Sequence, residues 1–214
     1  MFTWFDVHTH QQQPGPGIYS LRNFYEHFDT VAQPCSLGLH PWYLQPPYPG
    51  KEQLEQYAPL TQVKAIGECG LDKLSPTPRA LQLERFRWQI QLAMRLQKPL
   101  IIHCVRAWNE VIQLLQEERV TIPVIFHGFG KGPELAAQLW QAGYYLSFGT
   151  ALLRPGNQAA GVLALAPPER FFLETDDSGL DIKAVYEAAA AIRKTGTNEV
   201  ILQLQKNATT VFTL

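Results

Sequence analysis

Pro99-Leu100-Ile101-Ile102-His103-Cys104 is a short apolar run, rich in isoleucine, that ends on a histidine and a cysteine. Ahead of it, Ala80 to Leu96 repeats apolar residues at helical spacing through Leu83, Phe86, Ile90, Ala93 and Met94, and Pro99 stops that pattern. Behind it, Glu110 to Glu118 reads as a second helix. A strand-like run between two amphipathic helices is the building unit of a parallel sheet with helices packed outside.

The same unit recurs along the chain. Strand-like runs are expected at Phe2 to Val7, Ile18 to Leu21, Cys35 to Leu39, Val63 to Gly67, Leu100 to Ile102, Val124 to Phe126, Tyr144 to Phe148 and Phe171 to Leu173. Further helices are expected at Glu134 to Gln141, Gly161 to Ala166, Ile182 to Lys194 and from Asn198 toward Thr210. Eight strands alternating with helices predict an α/β fold, a (β/α)8 TIM-type barrel. The 214 residues lie near the lower limit, roughly 200, of that fold. Only ten residues separate Val7 from Ile18, and a parallel crossover usually takes about a dozen or more. The barrel is therefore expected to be compact, with an irregular or missing first crossover helix. An open doubly wound sheet is the competing arrangement. Pro14-Gly15-Pro16-Gly17 and Pro46-Pro47-Tyr48-Pro49-Gly50 read as loops, so residues 1–214 are expected to form one domain.

Composition narrows the function. Hydrophobic residues make up 46% and charged residues 17%, which argues against a disordered chain. With a net charge of -1, no global basic field draws in a polyanion, so any phosphate must be held by a local site. No apolar run approaches a membrane span. The first residues lack a basic and cleavable apolar segment, so secretion is not expected. The three cysteines, Cys35, Cys69 and Cys104, fit reduced thiols in a cytoplasmic protein.

Five of the six histidines fall at or just past the ends of these runs: His8, His10, His40, His103 and His127. Glu68 and Asp176 end two more. In a parallel barrel the strand ends share the face where catalytic groups gather. His8 and His10, two apart on a strand, point the same way and suit one divalent ion. A glutamate ending an apolar strand is costly to bury unless it is paired or metal-bound. Asp176 can be both a ligand and a proton acceptor. Asp6 and Glu174 share the ligands' strand parity and are expected to accept from imidazole N–H groups. Cys69 and Cys104 alternate away and read as packed thiols. At the rim, His40 can donate to a phosphate. Arg106 can pair a phosphate or Glu110, Lys73 and Lys131 are cationic candidates, and Trp42 and Trp108 can stack on a base.

Asp6-Val7-His8-Thr9-His10, Gly38-Leu39-His40-Pro41-Trp42, Ala65-Ile66-Gly67-Glu68-Cys69-Gly70-Leu71-Asp72, Lys98-Pro99-Leu100-Ile101-Ile102-His103-Cys104, Phe126-His127-Gly128-Phe129 and Leu173-Glu174-Thr175-Asp176 together resemble the TatD-family metal-dependent hydrolases, the TatD-related DNases. Order and rough spacing match over nearly the whole chain. The resemblance implies a barrel with two divalent metal cations (Zn, Mn or Mg) and hydrolysis of phosphodiesters in DNA, often as a 3′ exonuclease. It implies that His8, His10 and Asp176 hold one metal, that His103 and His127 hold the other, and that Glu68 bridges. Such a site would clamp a phosphodiester, with Asp176 as general base. Imidazoles favour Zn²⁺ or Mn²⁺ over Mg²⁺. The chain departs from the family at Gln11-Gln12-Gln13, at Asp177-Ser178 and in a short segment after Asp176, all of which remodel the rim.

Other classes remain open at this level. A PHP-type phosphoesterase usually ends on an Asp-x-His motif, and no histidine follows Asp176. An amidohydrolase would often use a carboxylated lysine where Glu68 stands, although an aminoacyl-tRNA deacylase is compatible. A non-enzymatic metal-bearing scaffold is the third class, and the full ligand set argues against it. DNA or another phosphodiester is the expected partner, with no membrane and no obligate protein partner.

Overall fold

The computed structural model describes residues 3–214. Its strands are β1 (Trp4–Thr9), β2 (Ile18–Phe24), β3 (Cys35–Leu37), β4 (Val63–Asp72), β5 (Leu100–Val105), β6 (Val124–Phe126), β7 (Tyr145–Phe148) and β8 (Phe171–Leu173). They form one eight-stranded sheet in the order β1 to β8. The helices are α1 (Lys51–Tyr57), α2 (Arg79–Leu96), α3 (Trp108–Glu117), α4 (Pro133–Gln141), α5 (Gln158–Leu165), α6 (Ile182–Arg193) and α7 (Thr197–Val211). All eight expected runs are strands, although Phe2, where the first was expected to begin, lies outside the described residues. Residues 10–17 hold no helix, so the first crossover helix is missing as the chain length requires. The next connection has only a single 3-10 turn, Phe28–Thr30. Helix α1 was not expected. It has seven residues, buries Leu54 and follows a proline-rich loop that hides its start.

Contacts divide the chain into two compact units. One is the chain up to Arg22 together with Ile125–Leu214, and the other is Asn23–Val124.

In the first unit, Phe5 packs against Tyr19, Phe172 and Phe212 at ring separations of 5.9, 5.8 and 5.5 Å. The hydroxyl of buried Tyr186 accepts from the Phe5 amide and donates to the Phe5 carbonyl. This satisfies both backbone groups of a buried strand residue. Strands β1 and β2 pair in parallel, with a register shift between Asp6 and Thr9. Past the end of β8 the chain comes back alongside β1. Thr9 and Asp176 form a parallel bridge, the Asp176 amide donates to the His8 carbonyl, and the His10 amide donates to the Asp176 carbonyl.

In the second unit, β3, β4 and β5 pair in parallel. Strand β4 runs past Glu68 to Asp72, and β5 runs past His103 to Val105. Both residues were expected at strand ends but sit inside strands. Glycine permits the extension. A Cβ on Gly70 would lie 2.0 Å from the His103 carbonyl oxygen, and its φ of +142° is one that other residues rarely adopt. Glu68 falls where the β4–β5 register shifts, between Ile66 and Cys69.

Helix α2 packs on this sheet with Phe86, Ile90 and Ala93, but also buries Gln82 and Gln89. The Gln89 side chain accepts from the Leu39 amide at 2.7 Å and donates to the Leu39 carbonyl at 3.1 Å. Gln82 does the same for Asp72, at 2.9 and 3.1 Å. One helix thereby fixes the backbone just before His40 and at Asp72.

Candidate metal centre

The first unit brings together His8, His10, His127 and Asp176. Ligand atoms of His8, His127 and Asp176 all lie within 4.8 Å of one another. The Asp176 Oδ1 is 3.4 Å from His8 Nε2 and 3.5 Å from His10 Nε2. The His8 ring, wholly buried, lies 4.4 Å from that of His127 and 5.3 Å from that of His10. Asp176 holds its place with a left-handed φ of +53°, a conformation that Asp and Asn tolerate best among residues with a side chain. Two donors about 2.1 Å from one Zn²⁺ at the tetrahedral angle would stand about 3.4 Å apart. The spacings and the mixed imidazole–carboxylate set fit a divalent cation.

Glu174 is the buried partner of this cluster. Its Oε1 accepts from the Gly128 amide at 2.6 Å and lies 3.7 Å from His127 Nδ1, while Oε2 accepts from Ser147 Oγ. Glu174 therefore lies beside the His127 ring as expected, but at 3.7 Å it does not accept a hydrogen bond from it. Asp6 does something else. It stands just ahead of the register shift in β1, and its carboxylate accepts from the amide and hydroxyl of Thr175, the residue just before Asp176. Burial pushes the Asp6 carboxyl up to about 7, against the lowering effect of those two bonds.

The second unit gathers His40, Glu68 and His103, whose ligand atoms also lie within 4.8 Å of one another. His103 Nδ1 is 2.7 Å from Glu68 Oε1, and its Nε2 is 3.0 Å from Asp72 Oδ2. Both ring nitrogens face carboxylate oxygens, which a neutral ring cannot satisfy by donating twice. An imidazolium would donate to both; alternatively a cation would stand in for one proton, with Nε2–H donating to Asp72 and with Nδ1 and Glu68 as the groups that would hold it. His40 is arranged differently. Its Nδ1 accepts from the Trp42 amide, so the neutral ring carries its proton on Nε2, 3.3 Å from Glu68 Oε1. That makes His40 a hydrogen-bond donor beside the carboxylate.

Three residues that sequence reasoning left unassigned shape this cluster. Asn23 accepts from the Glu68 amide at 2.7 Å and from Ser36 Oγ at 3.1 Å, and donates to Glu68 Oε2 at 3.4 Å. Asp72 also accepts from Trp42 Nε1 at 2.6 Å and from the Leu74 amide. Burial pushes the Asp72 carboxyl up, but the bonds from Trp42, His103 and Leu74 outweigh it and hold it below the usual carboxylate range. Gly38 is the third: a Cβ there would meet the Glu68 backbone at 2.5 Å. Of these, Asp72 carried a signal, standing four residues after Glu68 in the same apolar stretch. Asn23 carried none.

Of the remaining candidates, Lys131 is exposed and lies in the first unit, whereas Arg106, Trp108 and Lys73 belong to the second. Arg106 is exposed, with a φ of +54° at the turn leading to α3, and Trp108 opens that helix half-buried. Glu110 pairs with Lys73 at 3.0 Å and Arg79 at 3.1 Å. Lys73 thus pairs with a carboxylate while its side chain stays exposed. Cys69 is buried with its thiol 3.7 Å from the Ile101 carbonyl; burial, then Glu68, pushes that thiol well above its usual range. No helix among the described residues is long and apolar enough to cross a membrane.

A parallel α/β sheet carrying His/Glu/Asp clusters that fit a divalent cation defines the class of metal-dependent hydrolases, and comparison with known proteins supplies the family. The family model described as TatD related DNase matches residues 13–213. YcfH of Escherichia coli strain K12, described as an uncharacterised metal-dependent hydrolase, is 34% identical over 164 residues, covering 75% of this chain and 61% of YcfH. The chain thus spans about three fifths of that relative's length. YjjV of the same strain, with a like description, is 27% identical over 199 residues, 83% of this chain and 76% of YjjV. In structure, the chain resembles the E. coli YjjV crystal structure with a TM-score of 0.83 at 23% identity, over 99% of this chain and 98% of that one. A TatD family hydrolase of Entamoeba histolytica gives the same TM-score and coverage at 16% identity. The fold is α/β, of the (β/α)8 TIM-type barrel class. The chain belongs to the TatD family of metal-dependent hydrolases.

Proposed function

We propose that this protein is a divalent-metal-dependent phosphodiesterase that releases nucleotides from the 3′ ends of DNA, working in the cytoplasm. The observation that carries the reading is the pair of donor clusters, His8/His10/His127/Asp176 in one unit and Glu68/His103 in the other, each backed by a carboxylate. Each cluster would hold one cation, Zn²⁺ or Mn²⁺ being favoured by the imidazoles. A bound cation supplies Lewis acidity and a water that ionises near neutral pH. The protein's own groups do the rest. Asp176, with 39% of its side chain exposed, takes a proton from water at a carboxylate oxygen. His40 donates its Nε2 proton to a phosphoryl oxygen, and Arg106 pairs with the phosphate beside it. Asp72 holds the His103 ring in one tautomer, and Glu174 supplies a negative charge beside His127.

The test is hydrolysis of 3′-labelled single-stranded DNA by protein reloaded with Mg²⁺, Mn²⁺ or Zn²⁺, with chelated protein as control. Stepwise release of mononucleotides is expected. The near-neutral net charge also predicts a shallow salt dependence. Absence of cleavage with all three metals, together with hydrolysis of an aminoacyl ester, would replace this reading with that of a deacylase.

A further inference from the structure

Aromatic rings run outward in an unbroken series from the His40/Glu68/His103 cluster. The His103 and His40 rings lie 4.6 Å apart, and His40 meets Tyr43 at 5.3 Å. Tyr43 then stacks on Tyr25 at 4.7 Å and 27°, and meets Tyr48 in a tilted contact at 4.6 Å and 38°. Tyr48 also lines a cavity of about 490 Å³, walled by Phe28, Tyr57 and Pro47 and edged by Glu26 and Asp29. A cavity of that size lies within the range that takes a small molecule. All of these residues belong to the second unit.

The cavity has three properties that together select one class of occupant. Its aromatic wall continues a series in which Tyr43 lies 27° from Tyr25 and 38° from Tyr48, with Tyr25 and Tyr48 at 54° to each other, so Tyr48 offers a further flat ring a surface to stack on. Its two carboxylates accept hydrogen bonds from exocyclic amino groups and repel thymine's carbonyl oxygens and phosphate, which leaves phosphate at His40. It opens off Tyr48, two ring contacts out from His40. We infer that the Tyr48 cavity is a nucleobase subsite of the same active centre, stacking the base of a nucleotide whose phosphate is held at His40, with preference for amino-bearing bases over thymine. This rests on the phosphodiesterase reading for the phosphate but not for the base.

The experiment is equilibrium titration of the metal-loaded protein with deoxyadenosine, dAMP, dTMP and deoxyribose 5-phosphate, in wild type, Tyr48→Ala and Tyr48→Phe. Stacking on one aromatic is worth roughly 1–3 kcal/mol, so Tyr48→Ala should weaken deoxyadenosine and dAMP by about 5- to 150-fold. Tyr48→Phe, which keeps the ring, should bind both like wild type and shows that the fold tolerates change there. Deoxyribose 5-phosphate should bind all three proteins alike, and dTMP should bind wild type more weakly than dAMP. The subsite is overturned if deoxyadenosine does not bind, if Tyr48→Ala binds it as wild type does, if Tyr48→Ala weakens the sugar phosphate equally, or if a simple alkylamine alone competes with it. Deoxyadenosine that binds through Tyr48 while the sugar phosphate binds nowhere would keep the base site and remove the phosphodiesterase reading.

Discussion

Asn23 is the residue whose replacement most directly tests how Glu68 is held. It is 4% exposed, and its Oδ1 accepts from two buried donors, the Glu68 amide and the Ser36 hydroxyl. Asn23→Ala leaves both without that acceptor. Each buried donor left unmade costs about 1–3 kcal/mol, and the Ser36 hydroxyl can rotate to recover part of its share. The expected loss is about 2–4 kcal/mol, read from urea denaturation of metal-free protein. The variant also removes a contact to Glu68 Oε2, and the loss of such a support typically weakens a metal site by about 10- to 100-fold. Asn23→Asp separates the two effects. It keeps the acceptor but sets a carboxylate oxygen about where Nδ2 donates, 3.4 Å from Glu68 Oε2. Two full charges at that distance repel by about 5 kcal/mol at an effective dielectric constant near 20, an upper bound that His40 and His103 offset in part. Asn23→Asp should therefore be destabilised when metal-free and gain more stability than wild type from added Zn²⁺ or Mn²⁺. If Asn23→Ala unfolds within about 0.5 kcal/mol of wild type and binds metal as tightly, the account of how Glu68 is positioned is wrong.

Gly70→Ala should cost about 3 kcal/mol or more, because its Cβ would strike the His103 carbonyl from a φ of +142°. Gly161→Ala, inside α5 with nothing within 4 Å, should instead stabilise by about 0.5–1 kcal/mol; thermal unfolding of both checks the contrast. Burial pushes the Lys98 ammonium down to about 8 while it donates to the carbonyls of Ala58 and Leu60. The unfolded chain keeps that proton up to about 10.5, so between pH 8 and 10.5 the unfolded state binds more protons and stability rises with pH. Wild type minus Lys98→Met should show that rise, and a flat difference would refute it. Asp176→Asn suits the left-handed backbone at that position and should fold normally, but without a proton acceptor its turnover should fall by roughly 10²–10⁴. Exposed Asp177→Asn should change kcat little, and if it proves the worse lesion the last motif is misaligned.

What was legible in the sequence followed from periodicity. Runs such as Leu100 to Ile102 are apolar on both faces and bounded by helices at 3.6-residue spacing, so their strand character is local information. The missing first crossover was legible too, since ten residues cannot supply a helix and two turns. Strand ends were harder to read. β4 was expected to stop at Gly67 and continues to Asp72. Glycines normally read as breakers, but Gly70 is needed here because the neighbouring strand's carbonyl leaves no room for a Cβ. A breaker in isolation is a requirement in the pair, and the sequence of one strand does not contain the other strand's backbone.

The same distinction runs through the site. His8, His10, Glu68, His103, His127 and Asp176 were legible because a charged or imidazole side chain closing an apolar run costs too much unless something offsets it. The residues that hold them were not, because glutamine and asparagine carry no such penalty in a sequence. Gln82 and Gln89 share the face of α2 that presents Phe86 and Ala93, which the expected helix already fixed. Polar residues on an apolar face are the trace that a helix is satisfying someone else's backbone, and here that backbone belongs to Leu39 and Asp72. Asp72 in turn orients His103, and Leu39 precedes His40. The helix face could therefore have flagged where buried backbone needs partners, though not which loops supply it. Those partners are up to 50 positions away in the chain, so identifying them requires the fold itself.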